Sequence, residues 1–132
     1  MIMMTVKVVF DTSAFLAIIK NEHGADVVAK HLAHAYMSTV NVAEVVTYLT
    51  RNGYIDIDKI LQIVNLVKII NFDQDMAIKS GTMISVTKKF GLSLGDRVCL
   101  ATAKSLKAVV YTADKKWSEI SGQLGVEVIQ IR

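Results

Sequence analysis

The sequence contains no proline and a single cysteine, Cys99, and these two shortages exclude several kinds of protein. One cysteine excludes a disulfide framework and is typical of a reducing cytoplasm. Without proline, and with only seven scattered glycines, no segment resembles an interdomain linker. No apolar run approaches the roughly 18 residues of a membrane span, and residues 1–6 lack the basic leader and cleavage site of a secretory signal. We therefore expect one cytoplasmic domain, residues 1–132, with no membrane partner.

The charge balance is nearly even and selects no function by itself. The chain has 15 basic and 12 acidic residues, a formal net charge of +3, and 52% of its residues are hydrophobic. This composition is typical of a compact globular chain. A small basic excess fits a surface that binds a polyanion, and it fits an ordinary lysine-rich surface that is merely soluble.

The hydrophobic pattern alternates between strands and helices. Short runs rich in β-branched residues predict strands at 6–10, 36–39, 68–71, 108–111 and 126–131. Capping residues and helical periodicity predict helices beginning near Ser13, at 24–33, 41–52, 56–66, 73–91 and 93–106, and a short one starting at Asp114. Such alternation predicts an α/β layer fold on a mainly parallel sheet of four or five strands, which binds ligands at the carboxyl ends of its strands.

Four carboxylates stand in otherwise apolar sequence: Asp11, Glu44, Asp96 and Asp114. A carboxylate beside a buried strand or in a buried helix costs several kcal/mol unless it is paired. If the fold brings the four together, their repulsion raises that cost further, and a divalent cation relieves it. Asp11 and Asp114 each follow a predicted strand, so the topology places both at the same edge of the sheet.

Each acid also has an ordinary structural explanation. Asp11 and Asp114 fit helix caps, as does Asp73, which follows a strand in the same way and is assigned only a cap. Asp96 lies three residues after a serine, a spacing that forms a capping box, although its helix is apolar on nearly every side. Glu44 lies opposite the apolar stripe of its helix, where a solvated glutamate is the default. Taken singly, the acids do not establish a metal site.

Other chemistry has little support. The histidines at 23, 31 and 34 lack the spacing and the cysteine partner of a zinc site. Cys99 between apolar neighbours is typical of a buried thiol. The sequence has no glycine-rich phosphate loop and no nucleophile elbow. Asp11 as a phosphorylated nucleophile lacks the neighbouring acid that such chemistry needs, because Ser13 occupies that place.

Taken together, four short motifs resemble the PIN domain, specifically the VapC-type toxin ribonucleases of toxin–antitoxin pairs. The motifs are VFDTSAF at 9–15, STVNVAEV at 38–45, LSLGDRVCLATA at 92–103 and YTADKKW at 111–117. They occur in the family's order and span most of the chain. Arg97 departs from the pattern, because many relatives carry a small residue after the third acid.

This resemblance implies a three-layer PIN-like fold and an endoribonuclease that depends on Mg²⁺ or Mn²⁺. The family's acids map onto Asp11, Asp96 and Asp114 as metal ligands, with Glu44 a ligand or one water removed. Thr112 and Ser13 map onto the supporting hydroxyls. Oxygen ligands suit these hard cations. The expected products carry 5′-phosphate and 3′-hydroxyl ends.

The resemblance also implies partners. The expected substrate is single-stranded or looped RNA, such as tRNA or rRNA, and the expected protein partners are an antitoxin and a second copy in a homodimer. Trp117 could stack on a base, although core packing explains a lone tryptophan better. The candidate phosphate contacts are Lys88, Lys89, Arg97, Lys104, Lys115 and Lys116.

Two other functions remain open at this level. One is a catalytically degenerate PIN-like module that binds RNA or assembles with partners, against which the four intact acids argue. The other is a signalling domain phosphorylated on Asp11, which the shared layer architecture permits.

Overall fold

The structure is a computed structural model that describes residues 6–54 and 56–132. Residues 1–5, which fall in the segment where no secretory signal is predicted, and Ile55 lie outside the described residues. Within the described ranges, no helix combines the length and the apolar character needed to cross a membrane.

The centre of the fold is a five-stranded sheet in the order β3-β2-β1-β4-β5, in which every neighbouring pair is parallel. The fold class predicted from the alternation is therefore confirmed. The central strand is buried over its whole length because helices cover both of its faces. The strands are β1 (Val8–Phe10), β2 (Ala35–Ser38), β3 (Lys68–Ile70), β4 (Val109–Thr112) and β5 (Val128–Gln130).

Within residues 6–54 and 56–132, eight helices connect and cover these strands. They are α1 (Thr12–Ile19), α2 (Ala25–Ala29), α3 (Thr39–Arg51), α4 (Ile57–Val64), α5 (Gln74–Thr82), α6 (Ile84–Thr87), α7 (Leu94–Leu106) and α8 (Trp117–Leu124). Two 3₁₀ turns, Leu32–His34 and Lys88–Phe90, complete the described secondary structure.

Residues of β1 alternate between two apolar cores, one on each face of the sheet. Phe10 packs with α1 and α3 in the first core, and Val9 packs with α7 and α8 in the second. Trp117 is fully buried in the second core, so core packing is confirmed and a role for this ring in stacking on a base is excluded. Cys99 is also fully buried there, and burial raises the pKa of its thiol well above the usual value.

The prediction of one long helix over 73–91 is wrong. The chain forms α5, then the short α6, then a 3₁₀ turn that ends at Gly91 in the left-handed region. Hydroxyl groups explain the break, because Thr82 Oγ1 donates to the carbonyl of Lys79 and Ser85 Oγ donates to the carbonyl of Thr82. Such side-chain bonds to backbone carbonyls compete with the helical ladder and bend helices.

Two other predicted helices also differ. The helix predicted over 24–33 is divided into α2 and a 3₁₀ turn. The short helix predicted to start at Asp114 begins instead at Trp117. Asp114 caps a turn, because its Oδ1 accepts a hydrogen bond from the backbone N–H of Lys116 at 3.0 Å.

Candidate metal centre

All four carboxylates identified in the sequence line one cavity of about 230 Å³ at the carboxyl edge of the sheet. Asp11 follows β1 directly, and Asp114 lies two residues after β4. Asp96 lies in the first turn of α7, and Glu44 lies in the second turn of α3. Topology therefore accounts for two of the acids, and the packing of α3 and α7 over that edge supplies the other two.

Asp11 is the most buried of the four acids, with 6% of its surface exposed. It caps α1 by accepting a bond from the N–H of Ala14 at 2.7 Å, and it accepts further bonds from Thr112 Oγ1 at 2.5 Å and Ser13 Oγ at 2.7 Å. Burial nevertheless raises its pKa to about 6, against these bonds, and the charge of Asp96 adds to the rise. Asp11 is thus both a helix cap and an ionisable group with too little compensation for its charge.

Two hydroxyls bind the ends of β1 and β4 together. Ser13 Oγ accepts a bond from the N–H of Ala113 at 2.9 Å while it donates to Asp11. Thr112 Oγ1 accepts from the N–H of Asp114 at 3.0 Å while it donates to Asp11. The two acids of the strand ends are therefore positioned by one hydrogen-bonded network.

Glu44 is half-buried and held from two sides, which its position on the helix did not indicate. Thr12 Oγ1 donates to its Oε1 at 2.6 Å, and Asn41 Nδ2 donates to the same oxygen at 2.9 Å. The face opposite the apolar stripe of α3 meets α7 rather than bulk water. A solvated glutamate, the default expected from the stripe, is thus wrong for this residue.

Asn41 and Gly95 are two residues of this site that sequence reasoning missed. Asn41 is 1% exposed, and its Nδ2 also donates to the carbonyl of Gly95 at 3.1 Å, which joins α3 to α7. A Cβ atom on Gly95 would lie 2.6 Å from Glu44 Cδ, so a larger residue here would displace the carboxylate of Glu44. The available signals were the polar Asn41 three residues before Glu44 and the glycine immediately before Asp96.

Asp96 has both of the roles considered for it. It forms a capping box with Ser93, whose N–H donates to Asp96 Oδ2 at 2.9 Å while its hydroxyl accepts from the N–H of Asp96. Partial burial raises the pKa of Asp96, the bonds to Ser93 lower it, and the charges of Asp114 and Glu44 raise it further. Asp96 also lines the shared cavity.

The cavity's residues fit a divalent cation by their chemistry. Every polar side chain that lines it carries an oxygen atom, the ligand atom preferred by Mg²⁺ and Mn²⁺. Among the described residues the only ion pairs are Lys20–Glu22 and Lys79–Asp75, so none of these four acids has a cationic partner there. In residues 6–54 and 56–132, no group of three or more Asp, Glu, His or Cys side chains is close enough together to form a complete set of metal ligands. Mg²⁺ commonly keeps several waters and binds only one or two carboxylates directly, so a spaced set of acids suits it.

The predicted phosphate-contact residues lie outside this cavity. Lys88, Lys89, Lys115 and Lys116 are exposed. Arg97 is half-buried, and its Nη1 lies 3.5 Å from the carbonyl of Ser80 on α5. The side chain of Arg97 reaches α5 because α5 packs against α7.

The PIN domain family model matches residues 8–123 of the chain. No curated protein matches it in sequence. Among solved structures, a toxin–antitoxin complex from Klebsiella pneumoniae superposes with a TM-score of 0.74 at 20% identity, covering 95% of this chain and 98% of that one. The DNA-bound VapBC of Salmonella typhimurium gives 0.73 at 18% identity, covering 97% and 100%.

A third similar structure is VapC20 of Mycobacterium tuberculosis, described as a sarcin-ricin loop cleaving toxin. Its TM-score is 0.68 at 15% identity, and the match covers 85% of this chain and 93% of that one. At these identities the structural likeness establishes the fold.

Proposed function

The chain belongs to the PIN domain family, and from that premise we propose that it is a single-domain, metal-dependent endoribonuclease that acts as the toxin of a toxin–antitoxin pair. The family and the similar toxin structures support the coarser description, a PIN-type nuclease. The dependence on metal and the choice of RNA are argued from the residues of the cavity.

One observation carries the proposal: four carboxylates share a cavity without a cationic partner among the described residues. The pKa of Asp11, raised to about 6, reports the cost of ionising this group in the folded chain. A purely structural acid cluster would be expected to contain a balancing lysine or arginine. A divalent cation balances the charge and gives the cluster a chemical use.

Asp11, Asp96 and Asp114 are the proposed ligands of Mg²⁺ or Mn²⁺, and Glu44 binds directly or through one water. A divalent cation in such a site supplies charge neutralisation for a phosphodiester and lowers the pKa of a bound water. The chain's own residues fix the carboxylates, because Thr112 orients Asp11. One carboxylate also accepts the proton of the attacking water. Hydrolysis by water leaves a 5′-phosphate and a 3′-hydroxyl.

The proposed substrate is single-stranded or looped RNA, such as tRNA or rRNA, because an active-site cleft requires an accessible backbone. The description of the Mycobacterium tuberculosis neighbour as a sarcin-ricin loop cleaving toxin supports an rRNA target of this kind. Exposed lysines outside the cavity, including Lys115 and Lys116, are the proposed phosphate contacts.

The proposed setting is the cytoplasm, and the proposed partners are an antitoxin and a second copy of the chain. The similar structures from Klebsiella and Salmonella are toxin–antitoxin assemblies, which supports the first partner. A cationic side chain from an antitoxin would neutralise the acidic cavity. Exposed apolar side chains on α4, on the segment between α4 and β3, on β3 and on α5 support self-association. These are Ile57, Leu61, Leu66, Ile69 and Ile78.

The test is a cleavage assay on a structured RNA with Mg²⁺ or Mn²⁺. We expect the wild type to cut the RNA, chelator to stop the reaction, and Asp96→Asn to be inactive. Asp73→Asn is the matched control, because Asp73 caps α5 through the N–H of Met76 and is not part of the cavity. Equal cleavage by wild type and Asp96→Asn would contradict the proposal. RNA binding that ignores chelator, without cleavage, would show a degenerate module instead.

A further inference from the structure

A second concave surface lies on the layer formed by α5 to α8, away from the acidic cavity. One surface pocket of about 450 Å³ lies between these helices. A neighbouring pocket of about 550 Å³ shares the lining residues Ser85, Val86 and Gln123 with it. The two pockets therefore form one continuous groove. Four lysines line it, and we call it the lysine groove. They are Lys79, Lys88, Lys89 and Lys104.

The chemistry of the lysine groove is that of a site for phosphate groups. None of the described residues that line either pocket is acidic. Hydroxyl and amide groups lie among the lysines, contributed by Thr82, Ser85, Ser105 and Gln123. Lysine ammonium groups and side-chain hydroxyls are standard contacts to the phosphates of nucleic acids.

Three of the four lysines are available to a ligand. Lys79 forms an ion pair with Asp75 at 2.8 Å and donates to Ser105 Oγ at 3.2 Å, so it is held at the wall of the groove. Lys88, Lys89 and Lys104 are exposed and form no ion pair with any described residue. Like charges lining one concavity focus the electrostatic field and attract a polyanion.

The groove lies along the same helix as one of the catalytic candidates. Lys104 lies eight positions after Asp96 on α7, a distance of about 12 Å along the helix axis. The axial rise of a stacked strand is about 3.4 Å per nucleotide, so about three to four nucleotides span this separation. A strand bound at the acidic cavity therefore needs at least about three to four nucleotides to reach the groove.

We propose that the lysine groove binds the sugar-phosphate backbone of RNA on one side of the scissile bond. The acidic cavity, with its cation, takes the reacting phosphate, and the groove takes phosphates several nucleotides away. The identification of the bound polyanion as RNA rests on the proposed nuclease function. The groove accordingly gives affinity without sequence selectivity and favours substrates longer than a few nucleotides.

The test is a fluorescence anisotropy titration of a 20-nucleotide labelled RNA, carried out with chelator in the Asp96→Asn background so that no cleavage occurs. We expect the triple change Lys88→Ala, Lys89→Ala and Lys104→Ala to weaken binding about tenfold. The slope of log affinity against log salt should become less steep by about 2, which corresponds to three lost contacts on a single strand. A dinucleotide should lose much less affinity, because its single phosphodiester can make at most one of the three lysine contacts.

The matched control removes the same charge from exposed lysines outside the groove, namely Lys7, Lys30 and Lys59. Equal affinity and equal salt slope in the groove variant and in this control, with both folded by circular dichroism, would overturn the proposal. Groove-dependent binding to vesicles of anionic phospholipid, without binding to RNA, would also overturn it.

The experiment distinguishes a failure of the lysine groove from a failure of the proposed nuclease function. Groove-dependent RNA binding, together with a wild type that never cuts RNA, supports the groove and contradicts the nuclease. Normal metal-dependent cleavage, together with a groove variant that binds like the control, overturns the groove alone.

Discussion

Asp11→Asn should make the metal-free protein more stable at neutral pH, although it alters a buried, hydrogen-bonded residue. The rise of the Asp11 pKa from 3.8 to about 6 corresponds to about 3 kcal/mol against the ionised form in the folded chain. Asparagine removes the charge and keeps an oxygen for the N–H of Ala14, so the cap of α1 is retained. The expected gain is up to about 3 kcal/mol in the free energy of unfolding.

The same shift sets the sign of the pH dependence. Between pH 3.8 and about 6 the folded state binds more protons at Asp11 than the unfolded state does. The contribution of this group to stability therefore decreases as pH rises through this window and stays low above it. The raised pKa of Asp96 acts in the same direction.

The assay is urea unfolding at pH 5 and pH 7.5 in chelator, repeated at pH 7.5 with Mn²⁺. The wild type should lose stability between the two pH values, and Asp11→Asn should lose less. Mn²⁺ at 100 times its Kd should restore about 2.7 kcal/mol to the wild type and little to the variant. Asp73→Asn, which alters an exposed cap, should follow the wild type throughout. A wild type that gains stability toward pH 7.5, with Asp11→Asn destabilised there, would refute the reasoning.

Three further substitutions test how the acids are held, each measured by urea unfolding and by Mn²⁺ affinity. Gly95→Ala should cost about 1–3 kcal/mol and weaken Mn²⁺ binding, because the new Cβ collides with the carboxylate of Glu44. Thr112→Val should raise the pKa of Asp11 further and move the pH-dependent loss of stability upward, because the hydroxyl bond lowers that pKa. Asn41→Ala should cost roughly 2 kcal/mol and weaken Mn²⁺ binding, because it removes bonds to Glu44 and to the carbonyl of Gly95.

Each of these changes has a matched control in the same chain. Gly122→Ala, where a Cβ meets nothing within 4 Å in the middle of α8, should stabilise by about 0.5–1 kcal/mol. Thr102→Val removes a buried hydroxyl that bonds to the carbonyl of Val98 and, among the described residues, to no acid of the cavity, so the pH profile should not move. Asn52→Ala removes an exposed bond at the end of α3 and should change stability by less than about 0.5 kcal/mol. Equal effects in a test variant and its control would contradict the role given to that residue.

The sheet and half of the acidic cavity were predictable from local sequence. Short β-branched strands separated by helices leave few arrangements other than a parallel sheet, and that arrangement places Asp11 and Asp114 at one edge. The division of the helix predicted over 73–91 was not predictable. Thr82 and Ser85 can both occur inside a helix, and the sequence does not show that their hydroxyls donate to backbone carbonyls of the preceding turn.

The other half of the cavity depends on contacts between elements distant in sequence. Glu44 is positioned by Thr12 of α1, 32 residues away, and it packs against Gly95 of α7. A helical wheel of α3 reports which face is apolar, and it does not report that the opposite face meets another helix. The family resemblance therefore identified Glu44, where periodicity indicated a solvated side chain.

The central claim is that four carboxylates form one site for a divalent cation, and Mn²⁺ binding followed by electron paramagnetic resonance tests it most directly. The wild type and the Asp73→Asn control should bind Mn²⁺ with the same affinity. Each amide substitution in the cavity should lower that affinity, and these are Asp11→Asn, Glu44→Gln, Asp96→Asn and Asp114→Asn. Failure of the wild type to bind Mn²⁺, or unchanged affinity in all four variants, would contradict the claim.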